Sequence, residues 1–318
     1  MYRIGIDIGG TSIALGLLKN DRDIIQKKSI KTPLKCNADK FCDCIALSIE
    51  NLLIESNVRI DEVSHIGVGY PGTVDNLKGV LYYANNIGLD RVPLKEMLKK
   101  RYPSIDVRIE NDANAAAFGE FMLGTLKDSD DAIAITIGTG VGGGIIINKK
   151  IYTGFNFSAG EFGHHVLVAD GKECSCGRRG CFEAYCSANA LIERTKERAE
   201  DHKESLLWKL SDGQINDVNG EIIFRAIHEN DKIAKEIFKQ YIYYLGMGVA
   251  NIINIFQPEK LCIGGGISAQ GDFLLNPLKE VIEKNVYTTD EKTKVYCAQL
   301  GNDAGIIGAA LLSKQYER

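Results

Sequence analysis

Apolar residues alternate with small or polar ones along two stretches of the chain, and a glycine turn interrupts each stretch. The first, IGIDIGGTSIALGLL, begins at Ile4, and the second, IAITIGTGVGGGIII, begins at Ile133. Alternation with a period of two, bounded by glycine, predicts a strand, a tight turn and a second strand in both places. The likeness of the two stretches predicts an internal duplication, in which two similar domains each present a glycine turn to a shared cleft.

Helical periodicity is present between these strands. Apolar residues recur at intervals of three and four between Asn37 and Asn57, which predicts one buried helical face. That face comprises Phe41, Cys44, Ile45, Ile49, Leu52 and Leu53. We therefore expect Cys44 in the core and Cys42 on another face, which makes the CDC triplet a poor candidate for a metal site.

Two further helices are predicted later in the chain. The stretch NDANAAAFGEFMLG is rich in alanine, opens with capping residues and ends at Gly124. The stretch DKIAKEIFKQYIYYLGMGVANIINIFQP predicts a long helix that is stopped by Pro258. Because glycine lowers helix propensity, Gly246 and Gly248 within it indicate close packing against a neighbouring element.

Composition narrows the class of protein. The 318 residues are 45% hydrophobic and 25% charged, with a net charge of -4, as in a globular chain of two domains. We find no basic block, no secretory leader and no apolar run near the roughly 20 residues of a membrane helix. We therefore expect no nucleic acid and no membrane as partner, and a cytoplasmic location in which the nine cysteines stay reduced.

Two GxGxxG patterns occur, at Gly67-Gly69-Gly72 and at Gly138-Gly140-Gly143. A dinucleotide-binding site of this type needs a helix directly after the glycines. The first pattern contains Pro71 inside its turn, and the second continues into an apolar, β-rich stretch. We therefore reject dinucleotide binding for both.

The turns in DIGGTS and GTGVGGG are better explained by phosphate binding. Successive backbone N–H groups in a glycine turn form a concave anion site, and the missing Cβ lets a phosphate approach closely. Thr11 and Thr139 add hydroxyl donors, and Asp7 adds a carboxylate to the first turn. Two tight hairpins without a ligand are the alternative.

The stretch ENDANAAAFGE places Asp112 at the start of a predicted helix. Aspartate and asparagine are common N-cap residues, so a structural role is one interpretation. A carboxylate in a cleft between phosphate turns is also placed to accept a proton from a hydroxyl nucleophile. The residues alone leave both interpretations open.

Three thiols lie within the eight residues CSCGRRGC, at Cys174, Cys176 and Cys181, and His164 and His165 precede them. Three thiolates and one imidazole form a common closed zinc set. A disulfide is disfavoured in a reducing compartment and by the odd number of cysteines. The alternative to a metal site is three reduced, partly buried thiols.

Taken in order, these motifs resemble the ROK family of repressors and sugar kinases. The resemblance runs over nearly the whole chain, through DIGGT, GYPGTVD, ENDANAAAFGE, TIGTGVGGG, AGEFGHH, CSCGRRGCFE, CIGGGIS and NDAGIIGAA. It implies the two-domain, actin-like (hexokinase- and Hsp70-type) ATPase fold of the α/β class, with a central cleft. We expect a small domain over 1–112, completed by a C-terminal helix over 302–318, and a large domain over 113–301 with a zinc-binding loop over 164–181.

The resemblance also implies ATP-dependent phosphorylation of a hexose at its 6-hydroxyl, with Mg²⁺ and a structural Zn²⁺. Asp112 matches the catalytic base. The residues that match the family's nucleotide site are Asp7, Gly9, Gly10, Thr11, Gly138, Thr139, Gly140, Gly264, Gly265 and Gly266. The sugar ligands match Asn86, Asn111, Asp112, Glu161, His164 and Glu183, with Asn85 as the alternative to Asn86. The zinc ligands match His164, Cys174, Cys176 and Cys181, and His165 receives no role.

The stretches YYANNIGLDRVPL and CSCGRRGCFEAYCSANALI look most like the glucokinases of this family, which predicts glucose as the acceptor. N-acetylmannosamine, allose, fructose and N-acetylglucosamine kinases are the alternatives within it. A sugar-sensing repressor would carry a helix-turn-helix ahead of the first phosphate turn, where only Met1 to Arg3 stand. An actin-like filament protein would not need a zinc-held histidine. We expect a homodimer or a homotetramer.

Overall fold

The computed structural model describes residues 1–83, 87–287 and 291–316. The strands of these residues, in chain order, are β1 Tyr2–Ile8, β2 Ser12–Lys19, β3 Asp23–Lys31, β4 Val63–Tyr70, β5 Thr73–Asp75, β6 Val80–Tyr83, β7 Asp90–Val92, β8 Asp106–Asn111, β9 Ala132–Ile137, β10 Val141–Ile147, β11 Lys150–Ile151, β12 Lys260–Gly264 and β13 Lys294–Cys297. The helices are α1 Ala38–Ser56, α2 Leu94–Arg101, α3 Asp112–Leu123, α4 Glu183–Cys186, α5 Ala188–Glu200, α6 Leu206–Leu210, α7 Gly220–His228, α8 Lys232–Phe256, α9 Asp272–Asn285 and α10 Ala304–Leu311.

Two five-stranded sheets share one topology. The first has the order β3-β2-β1-β4-β8 and the second the order β11-β10-β9-β12-β13. In both, the first strand pairs antiparallel with the next along the chain and parallel with a later one. The predicted duplication is therefore confirmed in the sheet topology, and the glycine turns of DIGGTS and GTGVGGG occupy equivalent hairpins.

Helix α1 follows the predicted boundaries but buries a different cysteine. The Asn37 side chain caps it by accepting a hydrogen bond from Lys40 N (2.9 Å), and Asn57 ends it in the left-handed region with φ 52°. Cys42 is 1% exposed, whereas Cys44 is only half-buried. The prediction of Cys44 as the core cysteine is wrong, because Cys42 lies three residues before the buried Ile45 and shares its face.

Helix α8 confirms the close packing predicted at its two glycines. A Cβ on Gly246 would lie 2.5 Å from the Val281 side chain of α9, and one on Gly248 would lie 2.2 Å from the Phe182 ring. Both positions therefore need glycine. The helix ends at Phe256, two residues before Pro258.

Apolar residues are buried in three clusters. One lies around the first sheet with α1 and α2, one around the second sheet with α5 to α9, and one around α3 and α10. None of the helices within the described residues is long and apolar enough to cross a membrane. The predicted domain boundaries at 112, 301 and 302–318 stay predictions.

Helix α10 packs backbone against backbone at four glycines. A Cβ on Gly308 would lie 1.6 Å from Ala115 O of α3, and one on Gly119 of α3 would lie 2.3 Å from Ala304 O. On the other side of α10, a Cβ on Gly5 would lie 1.9 Å from Ile306 O, and one on Gly67 would lie 1.7 Å from Ala309 O. This packing fixes the ends of β1 and α3, which carry Asp7 and Asp112, relative to each other.

Gly308→Ala is expected to lower the free energy of unfolding by roughly 1–3 kcal/mol or more, because the added methyl must displace a backbone carbonyl. Urea denaturation followed by circular dichroism measures the change. Gly220→Ala is the matched control, since nothing lies within 4 Å of its Cβ position, and it should be neutral or slightly stabilising. Equal stability of the two variants would contradict the packing described here.

Candidate active site

The C-terminal ends of β1 and β9 face one cleft with a volume of about 810 Å³. The predicted site residues that line it are Asp7, Asp112, Gly138, Thr139, Gly140, Glu161, His164, Glu183, Gly264 and Gly265. The predicted nucleotide and sugar residues outside its lining are Gly9, Gly10, Thr11, Asn111 and Gly266, and the three predicted metal-binding cysteines also lie outside it. Asn86, with its alternative Asn85, lies outside the described residues.

Two half-buried carboxylates lie near each other at one edge of the first sheet, where a Cβ on Gly69 would lie 3.4 Å from Asp112 Cα and 3.7 Å from Asp7 Oδ1. Asp7 is the second-to-last residue of β1, and Asp112 is the first residue of α3. Burial, and then the charge of Asp112, raise the pKa of Asp7 to about 7. Burial raises the pKa of Asp112 as well, with a smaller contribution from Glu161. Raised pKa values bring a carboxylate closer to the range in which it exchanges a proton at neutral pH.

The N-cap of α3 is Asn111. Its Oδ1 accepts a hydrogen bond from Asn114 N (3.0 Å), and its Nδ2 donates to the Gly72 carbonyl (3.1 Å). The alternative of Asp112 as the N-cap is therefore wrong. Asp112 Oδ1 accepts a local bond from Ala113 N (2.8 Å), and its side chain borders the cleft.

Glu110 is a residue that the sequence analysis missed. Its fully buried carboxylate accepts from Asn76 Nδ2 (2.7 Å), Asn111 N (3.0 Å) and Asn114 Nδ2 (3.1 Å), and burial raises its pKa. These bonds join the loop after β5 to the start of α3 and so hold Asp112 in place. Two of these partners belong to the motif ENDANA itself, but Asn76 comes from a distant part of the chain that only the fold brings near.

The second glycine turn is held at both ends. Gly138 N donates to Gly140 O (2.9 Å), which closes the turn, and the Gly138 carbonyl accepts from Ala188 N (2.9 Å) at the start of α5. Val141 N donates to Glu183 Oε2 (2.9 Å). A turn fixed in this way presents preorganised backbone donors to a phosphate.

Only glycine fits at position 265, because of both the backbone conformation and the lack of room for a side chain. Its φ is 87°, and a Cβ there would lie 2.0 Å from the Ile137 carbonyl. The turn of Gly264 and Gly265 therefore lies directly against the end of β9. This brings the motif CIGGGIS to the same cleft as the second glycine turn.

His164 ends a short 3₁₀ helix over Phe162–His164 that begins after Glu161. Its backbone N donates to Glu161 O (3.0 Å), so the two predicted sugar ligands are held at adjacent points of one turn. His165 points away: its Nδ1 lies 2.6 Å from Phe162 O and its ring centroid 5.0 Å from that of Phe182. His165 therefore has a packing role.

A four-residue donor cluster lies beside this turn. The ligand atoms of His164, Cys174, Cys176 and Cys181 all lie within 4.8 Å of one another. Cys176 Sγ is 3.7 Å from Cys181 Sγ, and Cys174 Sγ is 3.8 Å from His164 Nδ1. Two ligands each about 2.0–2.3 Å from a tetrahedral zinc lie at such separations. A hydrogen bond from the Arg178 side chain lowers the pKa of Cys176 to about 6, whereas burial raises the pKa of its neighbour Cys181, so the thiolate lies on Cys176 before a metal binds. The four residues fit a closed Zn²⁺ site.

Comparisons with known proteins show which family this chain belongs to. The family model described as the ROK family matches residues 3–316. A glucokinase of Streptomyces coelicolor is 36% identical over 98% of this chain and 97% of its own length. A xylose repressor of Bacillus subtilis is 31% identical over 98% of this chain and 73% of its own length.

Solved structures agree with this placement. A crystal structure of a ROK family glucokinase from Streptomyces griseus, in complex with glucose and AMPPNP, is 35% identical and covers 99% of this chain and 100% of its own, with a TM-score of 0.83. The predicted fold class, the two-domain actin-like fold of sugar kinases, is thereby confirmed. With the match over residues 3–316, this chain belongs to the ROK family.

Proposed function

We propose that this protein is an ATP-dependent glucokinase, which transfers the γ-phosphoryl group of ATP to the 6-hydroxyl of glucose. The observation that carries the proposal is the content of one cleft: two half-buried carboxylates with raised pKa values, Asp7 and Asp112, line it together with a preorganised glycine turn and the side chains of Glu161, His164 and Glu183. The full-length likeness to glucokinases supports it.

Phosphoryl transfer requires mainly alignment of the reactants and stabilisation of charge. In the proposed mechanism Asp112 accepts the proton of the 6-hydroxyl as that oxygen attacks the γ-phosphate. The backbone donors of the second glycine turn and the Thr139 hydroxyl hold the phosphates. Asp7 would hold Mg²⁺, which supplies positive charge to the phosphates when bound. A closed, dry cleft keeps water from replacing the sugar as the acceptor.

The donor cluster has a structural role in this proposal. His164, Cys174, Cys176 and Cys181 would hold Zn²⁺, with His164 Nδ1 as the nitrogen on the side of Cys174. The other ring nitrogen of His164 is then left for a sugar hydroxyl, and its orientation is fixed by the first. Four protein ligands leave no open position, so no chemistry takes place at the metal.

We also propose that the protein acts in the cytoplasm as a homodimer or homotetramer, with the domain division expected from the resemblance. None of the nine cysteines, all of which the structure describes, is paired in a disulfide, which is consistent with a reducing compartment. Light scattering coupled to gel filtration measures the oligomeric state.

Glucose is expected to give the highest kcat/KM in a hexose panel with saturating MgATP, measured by coupled detection of ADP. The panel includes N-acetylmannosamine, N-acetylglucosamine, allose and fructose. A site built to pair a sugar hydroxyl rejects an analogue that lacks it by up to about 10⁴-fold, since buried polar groups are then unpaired. A higher value for N-acetylmannosamine would contradict the choice of glucose, and no ADP release with any sugar would contradict the kinase itself.

A further inference from the structure

The two oxygens of the Glu183 carboxylate have partners in two different parts of the molecule. Oε2 accepts from Val141 N (2.9 Å) in the second glycine turn. Oε1 accepts from the hydroxyl of Ser175 (3.1 Å), which lies between two cysteines of the donor cluster. One side chain therefore joins the turn assigned to the nucleotide with the loop assigned to the metal.

Ser175 is the donor suited to this position when the cluster holds a metal. Cys174 Sγ lies 3.9 Å from the same Glu183 oxygen, but a metal-bound cysteine is a thiolate and has no proton to donate. The Ser175 hydroxyl keeps its proton. A hydrogen bond to a charged acceptor is stronger than one between neutral groups, so this bond defines the direction of the carboxylate.

The glycine turn lies too close to Glu183 to be independent of it. A Cβ on Gly140 would lie 2.4 Å from Glu183 Oε2. The other end of the turn is fixed by Ala188 N, which follows Glu183 by five residues. A displacement of the Glu183 carboxylate therefore displaces the backbone donors of the turn.

We propose that Ser175 is a positioning residue that holds Glu183 where the sugar and nucleotide sites meet, and so couples the binding of glucose to the binding of ATP. The inference rests on the proposed function, in which Glu183 contacts the sugar. A sugar that orders Glu183 orders the turn through Val141 N, and a nucleotide bound to the turn orders Glu183 for the sugar. Such coupling is reciprocal, so either ligand reports it.

The test compares Ser175→Ala with Ser175→Thr, which keeps the hydroxyl. Calorimetry gives the Kd of glucose with and without AMPPNP, and the ratio of the two Kd values is the coupling factor. We expect a factor well above one in the wild type, a decrease of at least threefold towards one in Ser175→Ala, and recovery in Ser175→Thr. Ser29→Ala, an exposed serine of β3, is the matched control and should keep the wild-type factor.

Glu183→Ala, which removes the acceptor of the Ser175 hydroxyl, and the double variant show whether Ser175 acts through Glu183. In the Glu183→Ala background, Ser175→Ala should change neither the glucose Kd nor the coupling factor further. Zinc content, measured on every sample, separates coupling from loss of the metal.

The proposal is overturned by a wild-type factor of one, by an unchanged factor in metal-loaded Ser175→Ala, or by additive effects in the double variant. A wild type that binds no glucose at all would overturn the proposed function instead.

Discussion

Replacing Asp112 with asparagine is expected to lower kcat by about 10² to 10⁴-fold, the usual range for loss of a general base. Asparagine keeps the shape of the side chain and an oxygen for Ala113 N, but its amide cannot accept the proton of the 6-hydroxyl. Glucose should still bind, because the other polar groups of the cleft are unchanged. Steady-state kinetics give kcat, and calorimetry gives the glucose Kd.

Asp217→Asn is the matched control, since Asp217 is exposed and distant in sequence from the cleft residues. The pH profile adds an independent check. Because the pKa of Asp7 is raised to about 7, protonation of that carboxylate should reduce the wild-type kcat/KM as the pH falls through about 7, and the raised pKa of Asp112 acts in the same direction. An Asp112→Asn variant with half of the wild-type kcat would contradict the assignment of the base.

Cys176→Ser is expected to remove the bound zinc, lower the midpoint of thermal unfolding and raise the KM for glucose together. Cys176 is exposed, so the replacement itself disturbs little packing and the effect reports the metal. Metal binding contributes directly to folding, and a lost ligand commonly costs far more than a surface hydrogen bond. Without zinc, the orientation of His164 is no longer fixed. Elemental analysis, calorimetric scanning and kinetics measure the three quantities.

Cys36→Ser is the control for this variant, since Cys36 lies outside the cluster and its Sγ bonds only to the Pro33 carbonyl. It should keep one zinc per chain and the wild-type KM. Fully active protein that contains no zinc, or zinc retained in Cys176→Ser, would contradict the structural metal site.

The local sequence pattern was sufficient to predict those strands and helices that are determined by neighbouring residues. The strand–turn–strand repeats, the extent of α1 and the stop of α8 before Pro258 were all predicted from adjacent residues. The face of α1 was predicted less well. Cys44 was assigned to it, although the spacing of three residues between Cys42 and Ile45 already puts Cys42 on the buried face.

Some residues of the candidate site could likewise be predicted from the sequence, and others could not. The motifs and their order were enough to propose Asp7 and Asp112 for one cleft and the four donor residues for a metal site. Glu110 and Ser175 could not be proposed, because their roles depend on Asn76, Glu183 and other partners that only the folded chain brings near. Nothing in the sequence distinguishes Glu110 and Ser175 from other glutamates and serines, and only their distances to Asn76 and Glu183 in the structure do so.

The backbone packing of α10 sets a limit for protein engineering. Replacing glycine by alanine is a standard way to stabilise a protein, because it reduces the freedom of the unfolded chain. At Gly5, Gly67, Gly119 and Gly308 that strategy would fail, since every one of the other amino acids brings a Cβ into a carbonyl group. A mutagenesis library for improved thermostability should therefore hold these four codons constant and direct its diversity to open positions such as Gly220.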